Sequence, residues 1–286
     1  MSAPRLDRAS WSAPLRPARI VHIGIGNFSR AHQAWYTMRA DQQREWGIVA
    51  FTGRRPALAE ALTPQQGLYV LIERGPREEH LSVIDTLQEV RAGGELDALV
   101  GAIASPQCAV VTLTVTEAGY RPPAAAERAA AGAGARLPTP AQRLALALRQ
   151  RWRNGAGGLA VVSCDNVAAN GQRLQALVLD EAERLGRDLA AWVGREVSFV
   201  STSVDRITPP AGQADRVLVE RELGLHDAWP VVCEPFSDWV LCGGFPAGRP
   251  SWEVAGARFV QRIGPWESRK LWLLNGAHSL LAYAGS

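Results

Sequence analysis

The feature that most constrains this chain is an apolar run that stops abruptly on glycines near its start. Residues 19–23 (RIVHI) read as a short buried strand, GIGNFSRAH as a glycine turn opening a helix through about Arg44, and GIVAFTG as a second strand ending at Gly53. Strand, glycine turn, helix and strand in that order open a doubly wound α/β sheet of the kind that binds nucleotides. Gly24-x-Gly26-x-x-Ser29 is a partial dinucleotide fingerprint, with serine in place of the third glycine. Its two glycines let the backbone turn tightly and approach a pyrophosphate, while the helix N-terminus presents N–H groups and a positive dipole end. The alternative reading is a glycine turn that binds nothing.

The alternation of strand and helix continues for most of the sequence. GLYVLIERG and HLSVIDTLQEV read as paired strands or a hairpin insert, and residues 96–104 as a helix leading to a strand over 109–115. The Ala/Pro/Gly-rich stretch 121–140 is a surface excursion. AQRLALALRQRW is an amphipathic helix, LAVVSCDN a strand, Asn170 a cap for a helix running through about Trp192, and SFVSTSV a strand ending at Asp205-Arg206. From about Arg221 the alternation loosens, which places a dinucleotide-binding domain at 15–220 and the start of a mainly helical C-terminal domain at 221–286.

Several function classes lack their signatures. A net charge of +3 on mixed-sign segments gives nucleic acid no electrostatic footprint. There is no N-terminal apolar signal and no apolar run near the roughly 18 residues of a membrane span, so the expectation is a cytoplasmic protein without a membrane partner. Cys108, Cys164, Cys233 and Cys242 form no CxxC pair or Cys/His cluster, so no metal site is expected and buried free thiols are.

Of the 31 basic side chains, 30 are arginine and one, Lys270, is lysine. Arginine supplies surface charge here, and what it cannot do is release a proton near neutral pH. Lys270 sits in GPWESRKLWLLNGAHSLLAY, a helical pattern that is apolar nearly all round and therefore expected to be buried. At about 100° per residue, Glu267, Lys270, Asn275 and His278 fall within an arc of roughly 140°. Alcohol oxidation needs a base for the hydroxyl proton, and burial lowers a lysine pKa towards that task; an asparagine amide can stabilise an alkoxide and an imidazole can orient a hydroxyl. The alternative is a set of polar groups that satisfy one another in a core. After the second strand stands Phe51-Thr52-Gly53-Arg54-Arg55 rather than an acidic residue. Arg54 there suits a 2'-phosphate, so NADP is carried beside NAD; ligand-free surface arginines are the other reading.

Lys270-x4-Asn275-x2-His278, the run from Ser203 to Pro209 (SVDRITP), Ser163-Cys164-Asp165-Asn166 and Gly24-Ile25-Gly26-Asn27-Phe28 together resemble the polyol-specific long-chain dehydrogenases, the mannitol dehydrogenase and fructuronate reductase family. LTVTEAGY, EPFSDWV and FPAGRPSWE extend the likeness over the chain from about Arg19. The resemblance implies a Rossmann-type N-terminal domain, a largely helical C-terminal domain, no zinc, and oxidoreductase chemistry on a polyol, keto sugar or keto-uronate with NAD, between the two domains. It makes Lys270 the acid/base, Asn166 and Asn275 the oxyanion hole, His278 the holder of the substrate hydroxyl and Glu267 a lining of the proton route. Gly24, Gly26, Asn27 and Phe28 fall to the cofactor, with Asp205 close to its nicotinamide end. The family usually carries histidine at the position of Ser29, an acidic residue after the second strand, and further helices beyond the position of Ser286. A second reading is therefore a truncated, inactive relative that retains nucleotide binding at most.

Overall fold

The computed structural model describes residues 3–121 and 137–275, with side chains as far as Trp272. Its main sheet has eight strands in the order β11-β10-β8-β7-β6-β1-β2-β5. The strands are β1 (Ala18–Ile23), β2 (Gly47–Phe51), β5 (Leu87–Arg91), β6 (Val110–Leu113), β7 (Leu159–Ser163), β8 (Val197–Asp205), β10 (Asp238–Cys242) and β11 (Arg258–Phe259). The run from β8 to β5 is parallel throughout, and chain order reverses between β1 and β6. That is the doubly wound Rossmann-type α/β sheet, and the β1/β6 gap is its switch point, where such sheets place ligands.

Side chains alternate across the sheet as strand geometry requires. Val21, Ile23, Val111, Leu113 and Val161 face one way, onto helices Leu96–Ala104, Pro140–Arg153, Asn170–Leu185 and Arg187–Glu196, whose Ile103, Leu148, Val178 and Val193 meet them. Ile20, Ala50, Ala160 and Val162 face the other way, onto the helical segment 27–40 and a pair of tryptophans in contact, Trp239 and Trp252, with ring centroids 4.6 Å apart and planes tilted by 46°. Each fully buried Leu, Val or Ile contributes about 2 kcal/mol to holding these layers together.

Several local expectations are corrected. The first helix ends at Ala40, short of Arg44, and contains a π turn at Arg30–Ala34. HLSVIDTLQEV is two strands in two sheets: β4 (Glu79–Ile84) pairs with β3 (Tyr69–Arg74) in a hairpin, while β5 crosses to the edge of the main sheet. Gly186, at φ +152°, divides the long helix expected through Trp192. Asn170 is the first residue of that helix, after Ala169, rather than the residue before it: its Oδ1 accepts from the N–H groups of Gly171 and Thr202, and its Nδ2 donates to the carbonyls of Asp165 and Thr202, tying β7 to β8. Past residue 220 the chain returns to the main sheet, because β10 lies antiparallel against β8 and β11 beside β10. The break in alternation near Arg221 therefore marks a change of strand direction, and the sheet-bearing body runs through Phe259. Most of the surface excursion lies outside the described residues.

A second sheet, β4-β3-β9 with β9 at Val231–Cys233, is held by the fully buried Asp227. Its carboxylate accepts from Val70 N–H at 2.6 Å, Gln65 Nε2 at 2.9 Å and Trp229 N–H at 2.9 Å. Asp227→Ala strands those donors in a closed interior, so chemical denaturation is expected to reveal a loss of about 3 kcal/mol. An unchanged midpoint would mean that water takes the carboxylate's place.

Candidate active site

Every candidate residue that the structure describes lies at the carboxyl edge of the main sheet or on the helical segment from Gly264. At the end of β1, Gly24 turns the chain at φ +92°; a Cβ there would stand 2.2 Å from the carbonyl oxygen of Thr114. Gly26 has ordinary extended backbone, and no atom lies within 4 Å of the place its Cβ would take. The first glycine is thus required by the fold, and the second leaves an open space in front of a helix N-terminus. Ser29 Oγ accepts from Gly26 N–H at 3.0 Å, so serine serves here as a turn-closing residue. Asn27 Oδ1 accepts from Arg30 Nη2 at 2.9 Å, and Arg30, fully buried, also donates to the carbonyl of Trp229 at 2.6 Å. Phe28 stacks on His32 with ring centroids 4.9 Å apart. Arg54 stands exposed just beyond β2.

Across the switch point, Asp165 and Asn166 follow β7, and Asp205 ends β8. Lys270 Nζ reaches this edge from the helix at Gly264–Arg269 and its π-helical continuation Lys270–Asn275. It donates to Asn166 Oδ1 at 3.0 Å and to the carbonyl of Val204 at 2.6 Å. Burial lowers the Lys270 pKa from the ordinary lysine value, and the nearby carboxylates of Asp205 and Asp238 oppose that shift without cancelling it. Asp205 does not pair with its chain neighbour Arg206, which donates to Glu73 Oε1 and to the carbonyl of Ala31, both at 2.6 Å.

Glu267 accepts from Ala169 N–H at 2.8 Å, which places its carboxylate at the N-terminus of the Asn170–Leu185 helix. The helix bearing Glu267 and Lys270 is not enclosed as its apolar pattern predicts: Leu271 is 56% exposed and Trp272 75%. Lys270 anchors one side on the sheet edge, and no described residue covers the other. Asn275 ends the π-helical turn, its side chain outside the described residues, and His278 lies outside them altogether.

Sequence reasoning missed four contributors. Asp238, at the start of β10, faces Asp205 in register and adds a second carboxylate to the surroundings of Lys270. His32 is fully buried; Gln33 Nε2 donates to its Nδ1, so its Nε2–H donates to the carbonyl of Asp238 at 3.0 Å, and burial pushes its pKa down to about 3. Asp165 and Thr116 organise the loop after β6. Asp165, Asp238 and Thr116 lie inside stretches already singled out (SCDN, EPFSDWV, LTVTEAGY), and only the fold gives them their partners. Among the described residues no cluster of three or more His, Cys, Asp or Glu is placed to hold a metal, and no helix is long and apolar enough to cross a membrane. An open groove of about 710 Å³ at the hairpin turn, lined by Arg74, Arg77, Leu81, Leu218 and Arg221, contains none of the candidate residues.

The family described as the mannitol dehydrogenase Rossmann domain matches residues 18–254, from β1 to the turn before β11. This chain belongs to that family. Among relatives of the mannitol dehydrogenase family, D-mannonate oxidoreductase of Escherichia coli K12 is 39% identical over 97% of this chain and 60% of its own length. The solved mannitol 2-dehydrogenase of Pseudomonas fluorescens, in ternary complex with NAD and D-mannitol, superposes with a TM-score of 0.83 at 35% identity, over 95% of this chain and 58% of that one. A substrate-free D-sorbitol dehydrogenase gives a TM-score of 0.87 at 30% identity, over 98% and 64%. The chain thus spans about 60% of the length of the curated relatives it matches.

Proposed function

We propose that this chain carries the cofactor site and the acid/base of a metal-independent dehydrogenase. With NAD it interconverts a secondary alcohol of a sugar alcohol or aldonate with the matching keto sugar or keto-uronate. One observation carries the reading: Lys270 Nζ held between Asn166 Oδ1 and the carbonyl of Val204 at the carboxyl edge of the sheet. A neutral amine has two N–H bonds and one lone pair. The two acceptors take the hydrogens, which leaves the lone pair for a hydroxyl proton. Burial brings that neutral form within reach at lower pH than for a solvated lysine. Because Asn166 is engaged through Oδ1, its NH2 group is the face left to donate to a developing alkoxide.

The residues at the glycine turn fit a dinucleotide, since the space in front of Gly26 admits a group that a side chain would exclude. Gly24, Gly26 and the first N–H groups of the 27–40 segment, with Asn27 and Phe28 beside them, would hold its pyrophosphate, and Asp205 would lie near the nicotinamide. Bound NAD supplies the hydride acceptor for the carbinol carbon. By family resemblance, Asn275 completes the oxyanion hole, His278 holds the substrate hydroxyl, and Glu267 lines the proton route. The substrate class rests on relatives named for mannitol, mannonate and arabinitol.

The test is titration calorimetry with NADH, followed by nicotinamide absorbance with NAD plus mannitol or arabinitol, and with NADH plus fructose, fructuronate or tagaturonate. Binding with turnover of one of these is expected. Absence of binding would overturn the reading, and binding without turnover would leave a nucleotide-binding, inactive relative. Arg54→Ala tests the NADP alternative: if Arg54 meets a 2'-phosphate, NADPH affinity falls about tenfold while NADH affinity holds.

A further inference from the structure

Thr116 occupies a backbone conformation, φ +65° and ψ 168°, that glycine takes readily and a β-branched residue avoids. It sits in the loop after β6, on the β6 side of the switch point. The carboxylate of Asp165 holds it there. Oδ1 accepts from the N–H groups of both Val115 and Thr116 at 2.8 Å, and Oδ2 accepts from Tyr120 Oη at 2.9 Å. Asp165 is 8% exposed, so these three donors stabilise a charge that water scarcely reaches.

The strained loop touches both halves of the candidate site. The Val115 side chain lies 3.4 Å from the place a Gly24 Cβ would take, and Thr114 Oγ1 donates to the carbonyl of Gly24 at 2.8 Å. On the other flank, Asn166 follows Asp165 directly in the chain, and Asn170 Nδ2 fixes the Asp165 carbonyl at 2.9 Å. Thr116 thus shares the Asp165 carboxylate with Val115, whose side chain borders the glycine turn, and that carboxylate belongs to the residue directly before Asn166.

We propose that Asp165 is a positioning residue: its carboxylate holds Thr116 in a strained conformation and so sets the loop between the glycine turn and Asn166 in the geometry that receives the cofactor. The proposal rests on the cofactor reading above, and its test has an arm that does not. Five proteins are compared at full chain length: the parent, Asp165→Ala, Asp165→Asn, Thr116→Gly and the Asp165→Ala/Thr116→Gly double variant. NADH affinity, thermal midpoint and hydrogen exchange at the Val115 and Thr116 amides are measured on each.

Asp165→Ala is expected to weaken NADH binding about tenfold and to deprotect both amides. Asp165→Asn stays within about twofold, because its carbonyl oxygen still accepts both N–H groups and its NH2 donates to Tyr120 Oη. Thr116→Gly raises the thermal midpoint of the parent by removing strain, and in the double variant it recovers most of the lost NADH affinity, since glycine takes the seated conformation unaided. A merely structural role for Asp165 would give no such recovery. Parent-like NADH affinity in Asp165→Ala overturns the proposal, as does a Thr116→Gly midpoint below the parent's. If the parent itself binds no NADH, the cofactor reading fails, and exchange decides the holding role: deprotection in Asp165→Ala sustains it, retained protection ends it.

Discussion

Lys270→Ala is expected to lower turnover in the proposed reaction by about 1000-fold, the scale of a lost general acid/base, while NADH affinity stays within about threefold. The split follows from geometry: Lys270 Nζ bonds to Asn166 and Val204 on the β7/β8 flank and to nothing in the glycine turn. The pH dependence has a definite sign. Oxidation requires the neutral amine, so the rate should rise with pH through the Lys270 pKa and then level off. Because burial outweighs the two carboxylates, that inflection lies below the ordinary lysine value. Asp238→Asn removes an influence that raises the pKa, so the inflection should move to still lower pH. Movement to higher pH, or a Lys270→Ala enzyme with near-normal kcat, would remove lysine from the chemistry.

The second large effect separates the two glycines. At Gly24 an added methyl meets a carbonyl oxygen at 2.2 Å on a backbone with φ +92°, and both penalties act in the folded state. Gly24→Ala should cost about 3 kcal/mol or more and lower the thermal midpoint by about 10 °C. Gly26→Ala should leave the midpoint within about 2 °C, since its backbone is extended and nothing stands near the new methyl. NADH binding should nevertheless fall on the order of 100-fold, because the methyl fills the space a pyrophosphate needs. Differential scanning fluorimetry beside NADH titration distinguishes the two. A Gly26→Ala chain that keeps parent affinity would place the pyrophosphate elsewhere.

The amino-acid sequence by itself determined the doubly wound core, because strand and helix periodicities are local and the apolar runs at β1, β2, β6, β7 and β8 are unambiguous. It also singled out Lys270, by the contrast with 30 arginines, and the glycine turn, by its place between strand and helix. Tertiary structure alone decided what those residues touch. HLSVIDTLQEV divides between two sheets because its halves find different partners, and β10 rejoins the main sheet because β8 offers an open edge; neither pairing has a local signal. The strain at Thr116 is legible only with Asp165 beside it, 49 residues further along. Likewise Glu267 sits on Ala169, 98 residues away, and Asp238 faces Asp205 across two antiparallel strands. A carboxylate is chemically the same in any sequence, and what it does is set by which N–H groups and charges folding brings within about 3 Å of it.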